Sequence, residues 1–107
     1  MQIEDLSDNA LKFWLCFFRG PRDTLRFGGD HAKMEITPTA REALDQLLSV
    51  GAAKPVEPND SWPRREHYGS TGIDLREVAL ARHGGDPEKA SAWLYKGEFV
   101  MFRKKVA

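Results

Sequence analysis

Apolar periodicity is densest near the start of the chain. In Leu11-Lys12-Phe13-Trp14-Leu15-Cys16-Phe17-Phe18-Arg19, four of the eleven aromatic residues fall within six positions. Leu11, Trp14, Leu15 and Phe18 recur at i, i+3, i+4 and i+7, the spacing of one helical face. Phe13 and Phe17 add a second stripe, so the pattern predicts a helix that is apolar nearly all round and packed on at least two sides. Ser7 or Asp8 supplies an N-cap and Gly20-Pro21 a breaker, which bounds this helix near 8–19.

A second amphipathic helix is expected near 38–50. Thr37-Pro38 puts a capping hydroxyl before a first-turn proline, while Thr39-Ala40-Arg41-Glu42 fits a capping box two residues later. Ala40, Ala43, Leu44, Leu47, Leu48 and Val50 form its apolar side; Arg41, Glu42, Asp45, Gln46 and Ser49 form its polar side. Gly51 is placed to end it. Two further helices are expected near 74–83, opened by Asp74-Leu75-Arg76-Glu77, and near 87–96, opened by Asp86-Pro87-Glu88. The latter would bury Ala90, Trp93 and Leu94.

Strand signals are shorter. Thr24–Phe27 alternates, Lys33–Ile36 reads as an extended lead-in, and Glu98–Arg103 as a final strand. Segments near 52–57 and 64–68 read as two arms around a turn at Asn59–Ser61. Pro55, Pro58 and Pro63 exclude this region from the middle of a sheet. Gly69-Ser70-Thr71-Gly72 reads as a flexible joint. The expected fold is α+β: a compact helical domain with a small antiparallel sheet, all in a single domain over 1–107.

Composition agrees with a globular domain. Hydrophobic residues make up 41% and charged residues 30%, and three Trp with six Phe give such a chain a real core to bury. Sixteen basic and sixteen acidic residues cancel. A dedicated nucleic-acid binder carries a basic excess, so only a local patch would serve that role. The lone Cys16 excludes an internal disulfide, and its place in the aromatic helix predicts a small buried hydrophobe. Met1-Gln2-Ile3-Glu4-Asp5 is acidic where a signal peptide is basic, and Phe13–Phe18 is too short to span a bilayer. The expectation is a cytoplasmic protein with no membrane partner.

Candidate chemistry is sparse. His31, His67 and His83 lack metal-ligand spacing. Gly28-Gly29-Asp30-His31 lacks the Lys-Ser/Thr ending of a phosphate loop, and Gly69-Ser70-Thr71-Gly72 is not a nucleophile elbow. No catalytic residue, metal ligand, cofactor or small-molecule substrate is assigned, and the expected role is binding.

Ile36-Thr37-Pro38, the helix to Gly51 and the Arg64-Arg65 arm together resemble part of a winged helix-turn-helix domain over residues 37–69. In that family a helix ending in a Gly-containing turn feeds directly into the strands of a wing. The resemblance implies a DNA-binding regulator in which Arg41 and Gln46 read base edges, while Arg64, Arg65 and His67 touch the backbone or minor groove. Glu42 and Asp45 on the same helix depart from that pattern, because they repel phosphates.

The alternative is a protein-docking module. Trp62, between Ser61 and Pro63, is either a partner-facing anchor or a ring folded back on the core, and Tyr68 and His67 would extend the same patch. In style such a chain is similar to phage- or plasmid-encoded regulators, including anti-CRISPR proteins that dock on and block a host complex. Finally, Arg19, Arg22 and Arg26 would meet Arg103, Lys104 and Lys105 in a basic patch if the last strand paired with Thr24–Phe27.

Overall fold

The computed structural model describes residues 1–20, 22–28, 34–57, 65–82 and 101–103. Within them the order is α1 (Asp8–Phe17), β1 (Thr24–Gly28), β2 (Met34–Ile36), α2 (Pro38–Ser49), β3 (Ala53–Pro55), β4 (Arg65–Ser70), α3 (Arg76–Arg82) and β5 (Met101–Arg103), after a short 3-10 turn at Ile3–Asp5. The architecture is α+β. Three antiparallel strands lie in the order β1-β4-β3, and β2 pairs separately with β5. The helix expected at 87–96 and the start of the last strand lie outside the described residues.

The aromatic helix forms as its pattern predicts. Ser7 caps α1 by accepting a hydrogen bond from the Ala10 amide at 3.1 Å. Leu11, Phe13, Trp14 and Phe18 are at most 1% exposed, at the centre of a core shared with Leu44 and Leu47 of α2, Leu25 and Phe27 of β1, and Leu75 and Ala79. Phe13 contacts Phe17 and Phe18 with ring centroids 4.9 and 5.8 Å apart. The helix stops two residues before the expected Arg19. Phe18 leaves helical geometry, and the Asp23 carboxylate takes the Gly20 amide at 2.7 Å to build the following turn.

Burial does not run all round α1, and the expectation for Cys16 is overturned: it is exposed. Asn9, Lys12 and Cys16 share one stripe at helical spacing, with Asn9 exposed and Lys12 half-buried. The thiol lies on the side those polar residues mark as solvent-facing.

Helix α2 starts at the earlier of its two caps. The Thr37 hydroxyl accepts from the Ala40 amide at 3.1 Å, and Pro38 takes the first turn. At its other end Gly51 has φ +76°, the Gly51 amide donates to Leu48 O at 3.2 Å, and the Ala52 amide donates to Leu47 O at 2.9 Å. These paired bonds satisfy carbonyls the helix leaves open and aim the chain into β3. The Thr71 hydroxyl ties the same turn to the end of β4 by donating to Gly51 O at 2.6 Å.

Segments 53–55 and 65–70 form the expected hairpin arms, with Ala53 opposite Ser70 and Pro55 opposite Tyr68. Val56 N donates to His67 O and Thr71 N to Ala52 O, so Ala53 and Pro55 turn their backbone polar groups away from β4. Pro55 has no N–H to offer there, which blunts the β3 edge as a pairing template.

Two expectations fail in the sheets, and one conditional pairing does not form. The prolines are expected to keep the whole 52–69 region out of the middle of a sheet, yet β4 is the central strand, because Pro55, Pro58 and Pro63 all fall outside Arg65–Ser70. Gly69 and Ser70 are buried residues of the central strand, not part of a flexible joint; the link to α3 begins only at Thr71. A Cβ at Gly69 would sit 3.1 Å from Val56 Cγ2, close enough that the valine would have to shift to admit it. The last strand pairs with β2, not with Thr24–Phe27, whose partner is β4. Helix α3 is tied to the N-terminus by Arg82, which bonds Asp8 Oδ1 and Glu4 O at 3.1 Å each. Among the described residues no helix is long and apolar enough to cross a membrane.

Candidate interaction surface

Arg41 and Gln46, the two expected base readers on α2, both reach inward to other elements. Arg41 donates two hydrogen bonds to the Glu66 carboxylate on β4, Nη1 to Oε1 at 2.9 Å and Nη2 to Oε2 at 2.6 Å. Tyr68 donates its hydroxyl to Glu66 Oε1 at 2.8 Å. Beneath them Phe27 and Tyr68 stack at 5.9 Å, and the Arg41 guanidinium lies 5.5 Å from the Phe27 ring centroid. Glu66, Tyr68 and Phe27 can meet in this way because β1 and β4 pair Phe27 with Glu66 and Leu25 with Tyr68, which aims all four toward α2.

Electrostatics follow the geometry. The hydrogen bonds from Arg41, with that from Tyr68, hold the Glu66 carboxyl below the usual carboxylate range. Bonding to Glu66 raises Arg41 in turn. Desolvation, then the neighbouring Glu66 charge and hydrogen bond, pushes the Tyr68 phenol up. All three groups are therefore fixed at neutral pH as cation, anion and neutral phenol.

Gln46 is bound into the scaffold as well: its Oε1 accepts from the Ser7 amide at 2.9 Å, joining α2 to the start of α1. What α2 leaves exposed is Pro38, Thr39, Glu42, Asp45 and Ser49, a surface with two carboxylates.

The remaining candidates divide. Tyr68 belongs to the cluster beneath Arg41, whereas His67 points to the opposite face of the sheet. Trp62, Arg64, Lys104 and Lys105, with His31 and His83, lie outside the described residues; Arg65 and Arg103 are described only through the pairing of their backbones with Gly28 and Met34. Arg19, Arg22 and Arg26 are exposed, but β5 does not run beside β1, so the condition for joining them to the tail is not met. Their strand neighbours are instead His67, opposite Arg26, and Lys54, across Gly69 from Thr24. Lys54 was missed by sequence reasoning. The alternation of Ala53-Lys54-Pro55 was its only signal, and three residues are too few to show which side faces out.

Burial pushes the Cys16 thiol up, outweighing the opposing pull of Arg19 and Lys12, so it stays protonated at neutral pH despite its exposure. A shallow groove of about 450 Å³ lies between the N-terminal turn and α3, lined by Glu4, Glu77, Val78, Ala81 and Arg82. Among the described residues no group of three or more His, Cys, Asp or Glu side chains is placed to hold a metal ion. Searches of protein-family models, curated proteins and solved structures find no match to this chain.

Proposed function

We propose that the protein is a small regulatory module that acts by docking on a protein complex, on a winged-helix-like scaffold. The observation that carries this is how α2 uses its polar residues: Arg41 and Gln46 are bonded to Glu66 and Ser7, while Glu42 and Asp45 face solvent. Carboxylates there oppose phosphates, whose neutralisation by basic groups supplies most affinity for DNA. A protein target asks only for local complementarity. The mode is blocking or steering a complex by occupying its surface, as in the inhibitor style named above.

A second reading is a DNA-binding regulator. It is favoured by the run of α2 through the Gly51 turn into the β3–β4 hairpin, with β1 laid against β4. In that reading contacts come from the sheet side, not from α2. Anisotropy of a fluorescent duplex at low ionic strength separates the two. Protein docking predicts no salt-sensitive binding; binding that weakens with salt and with Lys54→Ala would favour DNA.

A further inference from the structure

We propose that the outer face of the β1-β4-β3 sheet is a docking surface for an acidic segment of a protein; this deepens the docking reading above by naming surface and partner chemistry. The strand register builds the face. Thr24, Gly69 and Lys54 form one row across the three strands, and Arg26 and His67 stand opposite each other in the next, beside Val56. Leu25, Phe27 and Ala53 point the other way and close the core, so this alternation leaves the outer side to polar and basic residues. Arg26 and Lys54 are exposed, His67 and Val56 are half-buried, and exposed Arg22 lies just before β1.

Neither row contains a carboxylate. Among the described residues, the two at its border are Asp23, whose carboxylate is turned to the Gly20 amide, and Glu57 beyond Val56. Gly69 leaves the centre of the face low, with Val56 and Thr24 methyls 3.1 and 3.8 Å from where a Cβ would stand. Three strands at 4.7–4.9 Å spacing make a surface about 10 Å across, wide enough to seat one extended segment. Carboxylates spaced along such a segment match Arg22, Arg26 and Lys54, and an apolar residue between them meets Val56.

The observations favour an acidic protein segment over a nucleic acid. A polyanion feels the field of the whole molecule, which is net neutral and carries Glu42 and Asp45 on α2. A short acidic segment is governed by the charges beneath it.

The test is a pair of NMR titrations of 15N-labelled protein, one with a synthetic peptide of glutamate and glycine, the other with a duplex of equal net charge. The expected result is saturable shifts confined to amides of 22–26, 54, 56 and 67–69 with the peptide. Lys54→Glu should weaken this several-fold with an unchanged melting temperature, and Lys54→Gln should weaken it less. Peptide shifts elsewhere, or no response to Lys54→Glu, overturn the surface while leaving the docking reading intact. A duplex that binds this face more tightly than the peptide overturns the partner class and the docking reading together.

Discussion

Arg41 and Glu66, 25 residues apart in the chain, are joined by two parallel hydrogen bonds of 2.9 and 2.6 Å between a guanidinium and a carboxylate. The pair fixes the first turn of α2 to the central strand of the sheet, while the Gly51 turn fixes its last turn to β3. Held at both ends, α2 has a set rotation about its own axis. That rotation sends Arg41 inward and leaves Glu42 and Asp45 in solvent.

Both partners of the ion pair are 39% exposed, so solvent screens it. A double-mutant cycle with Arg41→Ala and Glu66→Gln, read by denaturant unfolding, should give a coupling of about 0.5–1 kcal/mol. Additive losses would mean that the bidentate geometry does not persist in solution.

Glu66 gives stability a pH dependence of definite sign. Its carboxyl titrates lower in the folded protein than in the unfolded chain, because Arg41 and Tyr68 bond the charged form. The contribution is therefore complete above the unfolded value, roughly 4.3, and is lost as pH falls through the lower folded value. Thermal melts across acidic pH should show Glu66→Gln less sensitive than the parent in this window and no different in slope near neutrality.

Gln46→Ala removes the acceptor for the Ser7 amide, at an expected cost of about 0.5–1.5 kcal/mol. Hydrogen exchange at Ser7 should quicken, because that amide loses its partner. Gln46→Glu keeps an oxygen in place and should keep most of the protection.

Gly51 and Gly69 should fail for different reasons when replaced by alanine. At Gly51 nothing lies within 4 Å of an added Cβ, but φ is +76°, so the cost is backbone strain of about 1–2 kcal/mol and Asn should be tolerated better. At Gly69 the cost is the contact with Val56, so Val56→Ala should relieve Gly69→Ala and do nothing for Gly51→Ala. Melting temperatures of the two double variants decide this.

Features encoded within a few residues were legible in the sequence. Thr37-Pro38 and Gly51 bound α2, Ser7 opens α1, and the prolines of the hairpin mark β3 as an edge strand. The exposure of Cys16 was also within reach, since Asn9 and Lys12 already mark its stripe. Long-range pairing was not. Nothing near Arg41 names Glu66, nothing near Gln46 names Ser7, and a three-residue strand such as Met101–Arg103 fits β2 and β1 equally well by pattern. The candidate surface was lost for the same reason: Lys54 joins Arg26 only through the register of β4 between them.

The central claim, that α2 is bonded into the fold and does not read DNA, is tested most directly by duplex anisotropy at low ionic strength with the parent protein, Arg41→Ala and a Glu42→Lys/Asp45→Lys variant. The parent and Arg41→Ala should leave the duplex free, and only the charge-reversed variant should gain salt-sensitive binding. Duplex binding by the parent that is lost in Arg41→Ala would contradict the claim, because it would require Arg41 to leave Glu66 for the nucleic acid.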